Sequence, residues 1–186
     1  MYGLIHTALR EMVLEHHGEQ TWEAIVIESG VPTNSFLTMR SYDDETTLAL
    51  IGAASKILAL PLDRSLEAFG EYWISSFAPK EYGRLLDHTG DSPIEFLQNL
   101  DDLHDRISTS FTNFMPPSFR VDIMDANTAV VRYSSNREGL TPFVIGILEG
   151  LGKRFGTSIT VSSIEPVEVP RGEQSNITIS MVKASD

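Results

Sequence analysis

The segment Tyr133-Ser134-Ser135-Asn136-Arg137 closes a run, Thr128-Ala129-Val130-Val131-Arg132, that reads as a strand. Side chains two apart share a face of a strand, so Ala129, Val131 and Tyr133 lie together. Ser135 and Arg137 join them if the extended conformation continues. A phenol, a hydroxyl and a guanidinium would then converge. All three donate hydrogen bonds, and the guanidinium does so as a fixed, permanently charged fork. That chemistry suits carboxylate or phosphate oxygens. The competing reading is a loop whose Arg137 pairs with one of the protein's own acids.

His104 is the second residue whose placement implies chemistry. It falls on an apolar stripe, Leu97, Leu100, His104, Ile107 and Phe111, spaced by threes and fours as on a helix. Leu103 flanks it, while Asp101, Asp102 and Asp105 fall toward solvent. Such a histidine is either a satisfied core side chain or a neutral imidazole offered to a metal in an apolar cavity. A non-haem iron or zinc centre built with Asp101 reaches two ligands at most, because no second His or Cys stands at ligand spacing. The adjacent His16 and His17 cannot face one point from a helix. Taken together, the donor cluster and the buried imidazole describe a haem site, with the imidazole on the iron and the donors on the propionates.

Bulk properties narrow the alternatives. The chain has 186 residues, enough for one domain or two closely packed lobes, and is 41% hydrophobic and 22% charged. A formal net charge of −12, with no basic stripe, argues against nucleic acid and anionic membrane surfaces as partners. There is no cysteine, which removes disulfides and thiolate ligands and fits a cytoplasmic address. No apolar run is long enough to span a bilayer, and the N-terminus lacks a signal-peptide pattern.

The elements that must position these residues follow from periodicity and punctuation. Helices are expected over "YGLIHTALREMVLEHHG", over "TWEAIVIESG" capped by Thr21, over "DDETTLALIGAASKILAL" and over "DRSLEAFGEYWISSFA". A short helix and turn are expected over "KEYGRLLDHTGDS". Ser92, Pro93 and Glu95 form a capping box, from which a helix carries His104 to about Phe111. Four strands follow, over "FRVDIM", "TAVVRY", "SITVSSIEPV" and "NITISMV", with the helix "TPFVIGILEGLGKRFG" between the second and third. This is an α+β chain, with helices first and a four-stranded antiparallel sheet after them.

Beyond these patterns the sequence resembles the H-NOX (haem nitric oxide/oxygen binding) family, related to the haem domain of soluble guanylate cyclase. The resemblance rests on "MYGLI", "TWEAI", "AFGEYW", "NLDDLHDRI", the "PP" that follows, the Tyr-x-Ser-x-Arg motif and "GILEGLGKRF". It covers essentially the whole chain. It implies a single domain over 1–186, with a helical distal lobe over about 1–62, a proximal lobe with the sheet over 63–186, and haem b between them. It implies His104 as proximal iron ligand and Tyr133, Ser135 and Arg137 on the propionates. Pro117 would press on the porphyrin, and Ile5 and Leu148 would pack against it. Oxygen-binding members carry a tyrosine on the helix after the triad, whereas "EGLTPFVIG" places Phe143 at about that position. Trp73 matches a distal tryptophan of some members and either donates to a bound gas or fills space.

The implied role is a sensor and not an enzyme: five-coordinate ferrous haem that takes nitric oxide and carbon monoxide and signals to a separate histidine kinase or cyclic-dinucleotide enzyme. Three alternatives stand beside it. One is an oxygen-binding member using Trp73 as donor. Another is a haem peroxidase or oxygenase, for which His6 is the only nearby acid–base candidate. The last is a haem-free interaction module with His104 merely packed.

Overall fold

The computed structural model of the chain describes residues 1–32, 36–109, 111 and 114–183. α1 (Gly3–His17) and α2 (Glu19–Ser29) meet at Gly18, whose φ of 81° an L side chain rarely adopts. Gly18 therefore both ends one helix and begins the next. Thr21 is not the cap expected of it; its hydroxyl donates to the His17 carbonyl at 2.8 Å. α3 (Asp44–Ile57) opens with acids in its first turn, where the helix dipole favours them.

α4 (Leu62–Tyr72) continues through a π-helical turn, Trp73–Phe77, into α5 (Ala78–Asp87). The short helix expected from Lys80 onward follows a kink inside α5 at Tyr82, whose φ of −132° and ψ of 20° are not helical. Pro79, which has no N–H to donate back along the helix, follows the widened turn.

The capping box forms, with Ser92 accepting from the Glu95 amide at 3.2 Å, but the Glu95 carboxylate takes the Asp91 amide at 2.9 Å instead of Ser92's own. The helix expected to run unbroken from there divides into α6 (Pro93–Gln98) and α7 (Leu100–Ser108). Asn99 makes the break. Its backbone leaves the helical region, and its side-chain amide donates to the Thr89 carbonyl at 2.8 Å. An asparagine offers its neighbours local bonds that compete with the helix. The end expected near Phe111 adjoins Ser110, which lies outside the described residues.

β1 (Ser118–Ile123), β2 (Thr128–Ser135), β3 (Thr157–Val167) and β4 (Glu173–Lys183) form an antiparallel sheet in the order β1-β2-β4-β3, and α8 (Thr141–Arg154) connects β2 to β3. The fold is α+β, as expected. One apolar core gathers Leu9, Trp22, Ile25, Leu50 and Phe69 from α1 to α4. A second joins Leu97, Val131, Leu148, Ile177 and Ile179 between α6, α8 and the sheet. Trp73 packs against both.

α4 and α8 cross backbone to backbone. A Cβ on Gly70 would lie 2.0 Å from the Phe143 carbonyl oxygen, and one on Gly146 would lie 1.9 Å from that of Glu67. No single helix among the described residues is long and apolar enough to cross a membrane; α3 with α4–α5 passes only as a pair, bent by 110°.

Candidate functional site

A cavity of about 460 Å³ lies between the two cores. α1 contributes Ile5, the π-helical turn Trp73, α7 Leu100, Leu103, His104 and Ile107, and α8 Phe143, Val144 and Ile147. Pro117, Tyr133, Ser135 and Arg137 also line it, with half-exposed Asp44 and Met115. The structure thus gathers eight of the nine residues expected at the site. Leu148 is the exception. It is fully buried in the second core and does not reach the cavity wall, which α8 supplies through residues up to Ile147.

The His104 ring sits between Phe114 and Phe119, with centroids at 6.1 and 6.4 Å. Its Nδ1 is buried and has no partner at full hydrogen-bond geometry; the Pro117 carbonyl acts on the ring without completing that bond. Burial lowers the imidazole's pKa, with Asp101, the Pro117 carbonyl and Asp105 opposing more weakly. The ring is therefore neutral at pH 7 and free to donate a lone pair. Asp101 is not available as a second ligand: its carboxylate accepts from the Ser118 hydroxyl at 2.6 Å and the Phe119 amide at 2.9 Å, fastening α7 to β1. Among the described residues no group of three or more His, Cys, Asp or Glu could hold a metal ion.

Tyr133 and Ser135 share the buried face of β2, as the alternation required. Arg137 reaches the cavity by another route. The strand ends at Ser135 and the chain bends, with the Ser135 hydroxyl accepting from the Arg137 amide at 3.0 Å. A turn, not a pleat, makes the three groups converge. The Arg137 fork also pairs with the protein's own groups, through Nε to Asp44 at 2.8 Å and Nη1 to the Met115 carbonyl at 2.9 Å. The structure thus shows the pairing of Arg137 with one of the protein's own acids, at the wall of the cavity. Asp44 further accepts from the Met1 amino group at 2.6 Å. Burial alone would raise its pKa, but that amino group and Arg137 together hold it below the usual carboxylate range. Burial pushes the Tyr133 phenol up, so it stays protonated, and it donates to Glu173 at 3.0 Å.

His6 does not line the cavity. Its neighbour Ile5 faces inward, and one residue farther round the helix His6 is fully buried, with Nε2 2.7 Å from the Thr47 hydroxyl and Phe36 and Tyr42 against its ring. Three residues at the site escaped the sequence reading. Tyr82 lines the cavity from α5 at the kink in that helix, so helical spacing gave no signal for it. Asp44 was legible only as a helix-start acid. Glu173 was missed because β4 was expected to begin at Asn176.

A family model described as Haem-NO-binding matches residues 2–163. The chain belongs to the haem-NO-binding family. Soluble guanylate cyclase gcy-35 of Caenorhabditis elegans is 30% identical over 169 residues, covering 89% of this chain and 24% of that protein. The chain thus spans about a quarter of the length of this curated relative. A variant H-NOX protein from S. oneidensis in the Fe(II) ligation state matches with a TM-score of 0.87 and 18% identity, over 100% of this chain and 98% of its own. An H-NOX protein from S. oneidensis in the Fe(II)NO state gives 0.83 and 18%, over 98% and 99%. At these identities the structures establish the shared fold of the haem-NO-binding chain.

Proposed function

We propose that this chain is a haem-based gas sensor domain, with one haem b in the cavity between its two cores. One observation carries the reading. A single apolar cavity joins a neutral imidazole, His104, to a cluster holding Arg137, Tyr133 and Ser135. The residues present fit a flat apolar ring system with an iron centre and carboxylate arms. His104 would ligate the iron, Arg137, Tyr133 and Ser135 would hold the carboxylates, and Ile5, Trp73, Pro117 and Phe143 would pack on the ring. When bound, the haem supplies a ferrous centre with one side open to a diatomic gas.

The rest belongs to the chain. α7 holds His104 at a fixed angle because Asp101 ties it to the start of β1. A change in the pull on His104 is thereby passed to Pro117, Ser118 and the sheet. Trp73 and Phe143, on crossing helices, line the same cavity from α4–α5 and α8. A shift on one wall therefore moves the contact between the two cores, which is the two-state element a sensor needs.

The same proposal takes nitric oxide and carbon monoxide as ligands. It places the output in a separate histidine kinase or cyclic-dinucleotide enzyme in the cytoplasm, with no catalysis by this domain. The peroxidase reading loses its support, since His6 lies outside the cavity wall.

The test is the absorption spectrum of reduced protein with and without nitric oxide. A Soret band that shifts with the gas supports the proposal. His104→Gly is expected to lose haem, or to keep it only with added imidazole. Wild-type coordination in His104→Gly without imidazole overturns the ligand assignment, and a protein that takes up no haem overturns the function.

A further inference from the structure

Glu173 opens β4 directly opposite Ser135 of β2, so the two side chains share the inward face. Its carboxylate accepts three hydrogen bonds. The Tyr133 phenol at 3.0 Å and the Leu140 amide at 2.9 Å reach one oxygen, and the Gly139 amide at 2.9 Å reaches the other. Gly172 makes this approach possible: a Cβ there would lie 2.1 Å from the Ser135 carbonyl oxygen, and its φ of 74° suits glycine. The two amides bracket the far end of the bend that carries Arg137. Leu140 is also the cap of α8, and no side chain of its own caps that helix. An acid borrowed from β4 therefore sits at the N-terminus of the helix that lines the cavity, where the dipole favours it.

We infer that Glu173 is a positioning residue for the cofactor's carboxylate arms: it fixes the 136–140 loop and so holds the Arg137 fork, and it orients the Tyr133 phenol. This rests on the haem reading above. Two effects of Glu173 oppose each other. The phenol has one proton and gives it to Glu173, so removing the acid releases a neutral donor to the ligand. Removing it also frees two loop amides and the segment bearing a charged donor. Charge-assisted bonds are the stronger, so loosening the loop wins.

The experiment uses Glu173→Gln, Arg137→Ala and the double variant, each loaded with haem, with loss measured by transfer to excess apomyoglobin. Glu173→Gln is expected to speed haem loss by about tenfold. In the Arg137→Ala background the same change is expected to do much less, because its route through the fork is gone and only its hold on the Tyr133 phenol remains. Independent, multiplying effects overturn the inference. A second arm needs no haem: amide exchange at Gly139 and Leu140 is expected to quicken by about tenfold in Glu173→Gln, with the core strands unchanged. Unaltered exchange overturns the inference. Glu173→Asp serves if the glutamine variant does not fold; it keeps the charge, loses the reach and is expected to behave alike. Wild-type protein that takes up no haem defeats the haem reading, while the exchange arm still decides whether Glu173 holds the loop.

Discussion

His6 costs the folded protein stability as the pH falls below the ordinary histidine range. It is fully buried, one ring nitrogen bonds Thr47 and the other has no partner among the described residues. Burial, with the nearby amino terminus adding to it, pulls its pKa from 6.5 to about 4. The unfolded chain therefore binds a proton between these values and the folded chain does not. Stability is complete above about pH 6.5, falls as the pH drops toward 4, and loses about 3 kcal/mol from this group across the window. Carboxylates and His104 titrate nearby, so the difference from His6→Gln isolates the effect. Urea unfolding midpoints of wild type are expected to fall more steeply between pH 6.5 and 4 than those of His6→Gln at equal haem loading. Parallel slopes would sink this account. The residue scale is also where the sequence was most uneven. The place of His104 on the cavity wall was legible because a stripe of threes and fours surrounds it. The partners of Arg137 and Tyr133 were not, because Asp44 and Glu173 lie 93 and 40 residues away in the chain, and only the fold brings them near.

The crossing of α4 and α8 decides how the cavity walls are held. Gly70 and Gly146 let the two backbones touch, which places Trp73 and Phe143 on one cavity. Gly146→Ala would push a methyl to within 1.9 Å of a backbone oxygen that cannot rotate away, so the helices must separate. Overpacking of this kind costs about 1–3 kcal/mol, more than the roughly 1 kcal/mol that alanine gains over glycine within a helix. Gly52 on α3 is the control. Nothing lies within 4 Å of a Cβ there, so Gly52→Ala is expected to raise stability by about 0.5–1 kcal/mol. Denaturant midpoints that move the same way in both variants would count against backbone contact at the crossing. At this scale periodicity served well: every helix and strand has a counterpart in the sequence pattern. The misplaced boundaries have physical causes that single-sequence patterns do not reveal. Asn99 chose a side-chain bond to Thr89 over continuing its helix, and Gly18 served two helices at once.

The cavity between the two cores sets which gas the whole molecule is built to hold. A bound dioxygen draws negative charge and gains from a nearby donor, whereas nitric oxide holds ferrous iron without one. The residue at the position where oxygen-binding relatives are expected to carry a tyrosine is Phe143, and its ring lies 5.2 Å from that of Phe69. Trp73 stacks on Phe77 at 5.3 Å, and its indole makes no hydrogen bond among the described residues. Tyr82 also lines the cavity, and burial raises its pKa, so its phenol is a proton donor at any physiological pH. The α8 wall supplies no donor and the α4–α5 wall two candidates. With α8 lacking its donor, the reduced protein is expected not to retain dioxygen in air while retaining nitric oxide. Phe143→Tyr is expected to raise dioxygen affinity by roughly ten- to a hundredfold, the worth of one charge-assisted hydrogen bond of about 1.5–3 kcal/mol. Soret spectra of reduced wild type, Phe143→Tyr, Trp73→Phe and Tyr82→Phe in air check the prediction. If wild type keeps dioxygen and either single variant on the α4–α5 wall loses it, the donor sits on that wall, and the exclusion of dioxygen argued from Phe143 fails.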